Sequence, residues 1–268
     1  MREKRAREWR QAAGSLAVRA LQPLPFYLEW RRFLGAPIAR PEAPWVNGVL
    51  QTRREWEEAF EQVKRLGLPP HHDPPKNWDS LAAVALILRE TDASARVLDA
   101  GATLASVVLP WLSLYGYRNL WGINLAFRRP KHRGPIRYER GDITRTRFAP
   151  ATFDVVTCLS VIEHGVNPRA YFAEALRILK PGGFLITSTD YWADPIPTGN
   201  NIAFGAPVHV FSRPELEDLL RSAEKFGLRL TDDLDLRCRD RAVSWKEFDL
   251  EYTFVLFAMR KDARAAPS

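Results

Sequence analysis

Residues 95–101 read ARVLDAG, a short apolar run that ends in an acidic residue and a glycine. From this point the chain alternates short apolar runs with segments of helical periodicity. The later apolar runs are NLWGIN (119–124), IRYERGDI (136–143), FDVVTCLS (153–160) and FLITSTD (184–190). Strands that are buried on both faces and joined by helices are typical of parallel, doubly wound sheets. The sequence therefore predicts an α/β fold with a mostly parallel sheet.

Two helices are predicted before this pattern begins. Trp56, Phe60 and Val63 recur at helical spacing, and residues 79–90 form a second helical stretch that begins at Asp79 or Ser80. The segment HHDPPKNWDS between them is typical of a loop. We expect residues 1–90 to be a basic arm with a helical extension, and residues 91–268 to be the α/β domain.

Composition excludes several classes of protein. The 268 residues are 46% hydrophobic and 26% charged, which excludes collagen, disorder throughout and a coiled coil. No apolar run reaches the roughly 18 to 20 residues that span a bilayer, and we expect a cytoplasmic protein. Two cysteines, Cys158 and Cys238, cannot build a disulfide framework. The segment His71-His72-Asp73 has no further His or Cys nearby, so we predict no metal site.

Positive charge is concentrated in the first 40 residues. They carry nine Lys or Arg against three acids, or +6 of the formal net charge of +7. A basic arm is compatible with nucleic acid, but the arm also holds Trp9, Phe26, Trp30 and Phe33, which are poorly placed in water. We therefore favour a lid over the site or a contact in a homo-oligomer, and nucleic acid remains an alternative.

The residues that end the strands are the candidates for ligand binding. In an open parallel sheet, ligands bind beyond the carboxyl ends of the strands, where strand order reverses. The residues at these ends are Asp99, Gly101, Ala102, Asn124, Leu125, Asp142, Ile143, Ser160 and His164.

Four of these stretches together resemble the class I S-adenosylmethionine-dependent methyltransferases. VLDAG is similar to the first motif of that family, GDI to its adenine-binding turn, FDVVTCLSVIEH to its fourth-strand motif, and LKPGGFLIT to its fifth strand. The motifs follow in the order of the family over residues 90–230. The resemblance implies a seven-stranded Rossmann-like sheet, S-adenosylmethionine as cofactor and a methyl transfer reaction.

The resemblance also assigns roles to single positions. It implies that Asp99 and Gly101, with Ala102, form the turn at the amino-acid end of the cofactor. It places Asn124 and Leu125 beside the ribose and Asp142 with Ile143 beside the adenine. Ser160 and His164 would border the sulfonium.

Two departures from the family pattern bear on the strength of cofactor binding. The usual glycine-rich loop reads Gly101-Ala102-Thr103-Leu104-Ala105 here, and Thr103 or Ser106 could bind a carboxylate instead. Asn124 stands where the family has an acid, and it is either a weaker ribose ligand or a turn residue. Likewise, Asp99 is either a ligand or a helix cap.

Methyl transfer requires alignment of the acceptor, the methyl group and the leaving sulfur. A base is needed only when the acceptor must lose its proton early, and His209 is the candidate base, with a helix-packing role as the alternative. Aromatic and amide side chains in residues 190–201 favour a small-molecule or glycan acceptor that is methylated on oxygen or nitrogen. The alternatives are a non-catalytic binding or scaffold protein, and an RNA methyltransferase that uses the basic arm.

Overall fold

A computed structural model describes residues 39–263, so the basic arm up to residue 38 lies outside the described residues. The helices are α1 (Arg53–Arg65), α2 (Lys76–Glu90), α3 (Val108–Leu114), α4 (Pro168–Ile178) and α5 (Arg213–Phe226). The first six strands are β1 (Gly48–Val49), β2 (Arg96–Ala100), β3 (Asn119–Ile123), β4 (Lys131–Arg133), β5 (Ile136–Glu139) and β6 (Phe153–Leu159). They are followed by β7 (Leu179–Tyr191), β8 (Ile202–Ala203), β9 (Ala206–Pro207), β10 (Leu228–Leu230), β11 (Val243–Trp245) and β12 (Leu250–Lys261).

One mixed sheet organises the described chain. Its central order is β5-β3-β2-β6-β7-β12, with β10 on the far edge of β12. The pairs β3–β5, β2–β3, β2–β6 and β6–β7 are parallel, and β12 is antiparallel to β7. These seven strands confirm the predicted α/β fold with a mostly parallel sheet. Short strands extend it, since β1 and β11 pair with β12, and β4 pairs with β5.

Helices cover the two faces of the sheet. On one face, residues of α2 and α3 such as Leu81 and Trp111 pack in one buried cluster with Val97 and Ile186 of the strands. On the other face, α4 and α5 pack against the neighbouring side chains of the same strands, for example Phe172 against Leu185. Because side chains alternate along a strand, each strand contributes to both cores, which is why the strands read as continuous apolar runs.

The helical extension is part of the same packed body. β1 pairs with β12, and Leu50, Ala59 and Val63 belong to the buried cluster that includes the sheet. Among residues 39–263, no helix is long and apolar enough to cross a membrane.

Two predicted boundaries were wrong, and both matter for the site. α2 begins at Lys76 instead of Asp79, because Pro74 and Pro75 start the helix, and proline is tolerated in a first turn. β7 continues past Asp190, where the predicted strand ends, to Tyr191, which was expected in a loop. Pairing with β12 up to the register Thr253–Tyr191 keeps this end of β7 in the sheet.

Candidate active site

The turn after β2 requires a glycine. Gly101 has φ +96°, and a Cβ at this position would lie 2.4 Å from Cγ2 of Val161, which follows β6. The backbone therefore approaches the end of the neighbouring strand closely, and only glycine fits both the space and the conformation. This contact brings the turn after β2 and the segment after β6 together at the carboxyl edge of the sheet.

The glycine-poor loop that follows satisfies its own polar groups. The Thr103 amide donates to Oγ of Ser106 (2.9 Å), and the Ala105 amide donates to Oγ1 of Thr103 (3.1 Å). A guanidinium nitrogen of Arg133 donates to the carbonyl of Leu104 (2.8 Å). The two hydroxyls that the sequence offered for a cofactor carboxylate thus hold the loop itself.

Asn124 makes two contacts that belong to a turn. Its Nδ2 donates to the carbonyl of Gly101 (2.9 Å), and its Oδ1 accepts from the Ala126 amide (2.9 Å). An aspartate could not donate to Gly101, so the amide ties the turns after β2 and β3 together. The neighbouring Leu125 is exposed. The proposed contact with a ribose stays a prediction.

The turn after β5 presents a carboxylate at the same edge. Asp142 is exposed, and its Oδ1 accepts from the amide and the hydroxyl of Thr144 (2.8 and 2.7 Å). Ile143 is half-buried. The carboxyl ends of β2, β3 and β5 are adjacent, so Gly101, Asn124 and Asp142 follow one another along the edge.

Asp99 lies deeper than the turn. It is buried, and its Oδ1 accepts a hydrogen bond from the hydroxyl of Thr157 on β6 (2.9 Å). Burial raises its pKa to about 7, with the Thr157 hydrogen bond opposing and the Asp79 charge adding to the rise. Ala102, behind the turn, is also buried. The structure thus shows Asp99 bonded to a neighbouring strand, and its role at a cofactor stays a prediction.

The first turn of α2 places a lysine at this edge. Lys76 is half-buried, its Nζ donates to Oγ of Ser160, and it lies 3.9 Å from the ring centroid of Phe254. Burial lowers the pKa of Lys76, but Asp190, Asp79 and Glu163 outweigh it and raise the pKa above its ordinary value. The ammonium therefore carries its positive charge at neutral pH, beside the end of β6.

Three buried carboxyl groups act electrostatically on this ammonium. Asp79, one turn further along α2, accepts from the Ser188 hydroxyl (2.7 Å) and is fully buried. Glu163 accepts from the Thr189 hydroxyl (3.0 Å), and both Glu163 and Asp190 are 2% exposed. We call Lys76, Asp79, Glu163 and Asp190 the buried charge cluster.

One oxygen of the buried charge cluster lacks a partner. Among the described residues, no hydrogen-bond partner lies within reach of Oδ1 of Asp190, although the atom is buried. Burial raises the pKa of both Glu163 and Asp190, and the Lys76 charge opposes this. The Asp190 charge adds to the rise at Glu163, whereas at Asp190 a hydrogen bond from the Tyr252 hydroxyl lowers the pKa and the charges of Asp73 and Asp79 raise it. The pair therefore binds a proton at a higher pH than ordinary carboxyl groups do. A buried, unpartnered acceptor beside titrating carboxyl groups indicates a functional site.

His164 contacts the β8–β9 hairpin and senses the charge of Lys76. Its ring centroid lies 4.9 Å from that of Phe204, at the tip of the β8–β9 hairpin, and its buried Nδ1 has no partner among residues 39–263. Burial, and after it the Lys76 charge, lowers its pKa to about 4. His164 is thus a neutral imidazole at neutral pH. Ile202 and Phe204 expose 66% and 69% of their surface, so the hairpin presents an apolar tip here.

His209 lies four residues before the start of α5. Its Nε2 is 3.4 Å from a carboxylate oxygen of Glu215, and its ring packs edge-on against Phe211 at 4.7 Å. Glu215 also forms the capping box of α5 with Ser212. These contacts match the helix-packing alternative, and a catalytic role for His209 stays a prediction.

Sequence reasoning missed Lys76, Asp79 and Glu163. Lys76 was assigned to a loop, and Asp79 was read only as a helix start. The available signal was their spacing, since positions three apart share a helix face, and the following positions of α2 are apolar. What brings them to Asp190 is the packing of α2 across β6 and β7.

A known protein family matches the part of the chain that forms this edge of the sheet. The methyltransferase domain family matches residues 98–187, from β2 to the middle of β7. This range contains the turn at Gly101, the turn at Asp142 and the segment from Ser160 to His164. Over residues 98–187, the chain is thus similar to a methyltransferase domain.

Solved methyltransferases share the fold. An S-adenosylmethionine-dependent methyltransferase from Mesorhizobium loti has a TM-score of 0.51 at 18% identity, covering 68% of this chain and 98% of that one. The 1,6-didemethyltoxoflavin-N1-methyltransferase of Burkholderia thailandensis has a TM-score of 0.50 at 20% identity, covering 84% of this chain and 95% of that one. At these identities the likeness establishes the fold of the methyltransferase domain.

Curated relatives match only a short part of the chain. The mitochondrial ubiquinone biosynthesis O-methyltransferase of Schizosaccharomyces pombe is 38% identical over 60 residues, 22% of this chain and 22% of the relative. A ubiquinone biosynthesis O-methyltransferase of Idiomarina loihiensis is 50% identical over 40 residues, 15% of this chain and 16% of the relative. The chain thus spans about a fifth of the length of these relatives.

Proposed function

We propose that this chain binds S-adenosylmethionine at the carboxyl edge of the sheet and transfers its methyl group to a hydroxyl of a small, ring-bearing acceptor. The observation that carries this proposal is the buried, unpartnered Oδ1 of Asp190 beside Glu163. When bound, S-adenosylmethionine supplies a methyl group on a positively charged sulfur. The remaining demands are an aligned acceptor and a place for its proton.

The residues at the edge fit this cofactor. Its methionine end carries a carboxylate and an ammonium, and Lys76 and the buried carboxyl groups offer the opposite charges. The Thr103 and Ala105 amides already donate to hydroxyls of the same loop, so we assign the cofactor carboxylate to Lys76. Gly101 has no side chain, and the backbone there approaches Val161 closely, so the turn does not fill this end of the site with a side chain. Asp142 and Ile143 are the proposed adenine contacts.

Asp190 is the proposed general base. As the acceptor oxygen forms its bond to the methyl carbon, its O–H bond breaks and the proton passes to Oδ1 of Asp190. The bound S-adenosylmethionine would supply the methyl group and would keep the electron pair of the broken carbon–sulfur bond on sulfur. Burial favours the protonated carboxyl group, so Asp190 can hold this proton near neutral pH. Lys76 keeps Asp190 ionised before the transfer.

The β8–β9 hairpin supports an acceptor with an apolar ring. Phe204 and Ile202 expose apolar surface next to the neutral imidazole of His164. An acceptor that bears both a ring and a hydroxyl would contact the hairpin with one part and Asp190 with the other. The curated relatives are named O-methyltransferases, which supports oxygen as the methylated atom.

Methyl transfer from labelled S-adenosylmethionine to a panel of phenols, catechols and sugars tests this function. We expect turnover on a ring-bearing hydroxyl compound, which would also exclude the non-catalytic alternative. Transfer to RNA alone would support the RNA methyltransferase instead. Absence of S-adenosylhomocysteine binding in calorimetry, with the acceptors present, would refute the proposal.

The role of Asp190 is tested by Asp190→Asn, with Asp240→Asn on the exposed surface as the matched control. We expect Asp190→Asn to lower kcat/KM about 100-fold or more, as loss of a general base does. S-adenosylhomocysteine affinity should stay within a few-fold of the parent. Parental turnover by Asp190→Asn would show that this carboxylate is not the base.

A further inference from the structure

A second charged surface lies along the outer strands β5 and β4, which end the strand order on the side of the sheet away from β7. Residues 126–152 hold eight Lys or Arg and two acids, a formal charge of +6. Residues 41–268 together carry only +1, so the part of residues 41–268 outside this segment is net acidic. The segment contains β4 and β5, which end the strand order, and the turns that flank them. We call its exposed cations the basic edge: Arg128, Arg129, Lys131, Arg137, Arg140, Arg145 and Arg147.

The cations of the basic edge are not neutralised by neighbouring acids. Within residues 39–263, none of the seven forms an ion pair; the described ion pairs lie elsewhere. Of the two acids in the segment, Asp142 accepts two hydrogen bonds from Thr144 on one carboxylate oxygen, and Glu139 is half-buried. Repulsion among unpaired like charges costs stability, so a concentration of this kind indicates an anionic partner.

Two arginines on this side are held by an aromatic ring. The guanidinium of Arg96 lies 5.0 Å from the ring centroid of Trp121, and that of Arg137 lies 5.6 Å from the same ring. His132 stands opposite Arg137 in the β4–β5 register. Contact with an indole fixes a guanidinium without using its N–H donors. The donors of both arginines therefore remain available to an anion.

The cofactor does not account for this surface. S-adenosylmethionine has no phosphate, and its sulfonium is positive, so a rim of charge +6 offers it no attraction. Six of the seven cations are arginine, whose planar fork matches phosphate oxygens in pairs. Of the large apolar side chains exposed within residues 39–263, only Leu125 adjoins the segment, which leaves little to insert into a lipid surface. A polymer of phosphodiesters fits best.

We infer that the basic edge binds the phosphate backbone of a nucleic-acid strand. The basic edge adjoins the proposed adenine contacts Asp142 and Ile143, but the inference uses the cations around β4 and β5 and does not rest on the proposed methyl transfer. Such binding is dominated by release of counterions and weakens as salt rises. It would hold the methyltransferase domain on nucleic acid whatever the acceptor is.

Fluorescence anisotropy with a labelled oligouridine of about 20 nucleotides, longer than a typical single-strand site, tests this inference in the full chain. The test variant is Arg128→Ala/Arg129→Ala/Lys131→Ala. One control of equal charge is Arg53→Ala/Arg54→Ala/Lys64→Ala on α1. A second is Arg2→Ala/Arg5→Ala/Arg7→Ala in the basic arm, which measures what the arm contributes.

We expect the test variant to bind more weakly and to flatten the slope of log affinity against log salt by about 2, since each phosphate contact on a single strand contributes about 0.7. The α1 control should leave the slope unchanged. Equal losses in the test variant and the α1 control would show an effect of net charge alone. A loss of RNA affinity in the arm control alone would also overturn the inference. So would a test variant that loses binding to phosphatidylglycerol vesicles but keeps its affinity for RNA.

Discussion

Replacing Lys76 tests whether the helical extension completes the cofactor site. The proposed contact joins its ammonium to the carboxylate of the methionine end, next to Ser160 and the turn at Gly101. A hydrogen bond between charged groups contributes about 1.5 to 3 kcal/mol, or about 10- to 150-fold in affinity. We therefore expect Lys76→Met to weaken S-adenosylhomocysteine binding by a factor in this range.

A pair of ligands separates this contact from general damage. 5′-Methylthioadenosine keeps the adenosine and the sulfur but lacks the amino-acid end. Calorimetry should show that Lys76→Met leaves its affinity unchanged within about 2-fold, since no charge contact is lost. Decarboxylated S-adenosylmethionine, which retains the ammonium, should be equally insensitive.

Two further variants control for charge and for folding. Lys76→Arg keeps the positive charge and should retain most of the S-adenosylhomocysteine affinity. Lys64→Met removes an exposed lysine of α1 and should change neither ligand. Removal of Lys76 also leaves the buried carboxyl groups without a counter-charge, so circular dichroism and Tm must accompany the titrations. Equal loss for S-adenosylhomocysteine and 5′-methylthioadenosine would refute the assignment, because the lysine would then only support the packing.

Three other changes test the turn and the strand that bear the site. In the folded state the pKa of Asp99 is about 7, above its ordinary value of 3.8, so the free energy of unfolding falls as pH rises between about 4 and 7. Asp99→Asn should therefore stabilise the chain by up to about 4 kcal/mol at pH ~8, and by much less at pH ~5. Urea melts at the two pH values measure this, and an equal effect at both would contradict it. Gly101→Ala should lower the free energy of unfolding by roughly 1 to 3 kcal/mol or more, because φ is +96° at this position and the new Cβ would collide with Val161. Adding Val161→Ala should recover only the part of the lost stability that comes from this collision, and not the part that comes from the backbone conformation. Asn124→Asp places a carboxylate against the carbonyl of Gly101, and we expect a loss of about 1 to 3 kcal/mol in thermal melts instead of a gain in cofactor affinity.

The fold was predictable because its signal is local. Each strand reads as a short apolar run that ends in a turn residue, as VLDAG does at Gly101, and burial on both faces requires that pattern. The edge at which the turns meet follows as well, since the carboxyl ends of parallel strands lie on one side of a sheet. The positions of Gly101, Asn124 and Asp142 along that edge were therefore available from the sequence alone.

The chemistry of the edge depends on contacts between distant residues. Asn124 could be seen as an amide at a strand end, but only the structure shows that it bonds the turn after β2. Lys76 and Asp190 are more than one hundred residues apart, and α2 must pack across β6 and β7 before their charges interact. No periodicity encodes such a contact.

The same distinction applies to charge. The sequence by itself determined an α/β methyltransferase-like sheet, a nearly neutral body and the side of the sheet at which a ligand is expected. Only the tertiary structure decided that the cations of residues 128–147 lie at one open edge, and that the carboxyl groups of residues 79, 163 and 190 are buried around a lysine. The physical reason is that net charge is a sum over the chain, whereas pKa values and binding surfaces depend on which charges lie within a few ångströms of one another.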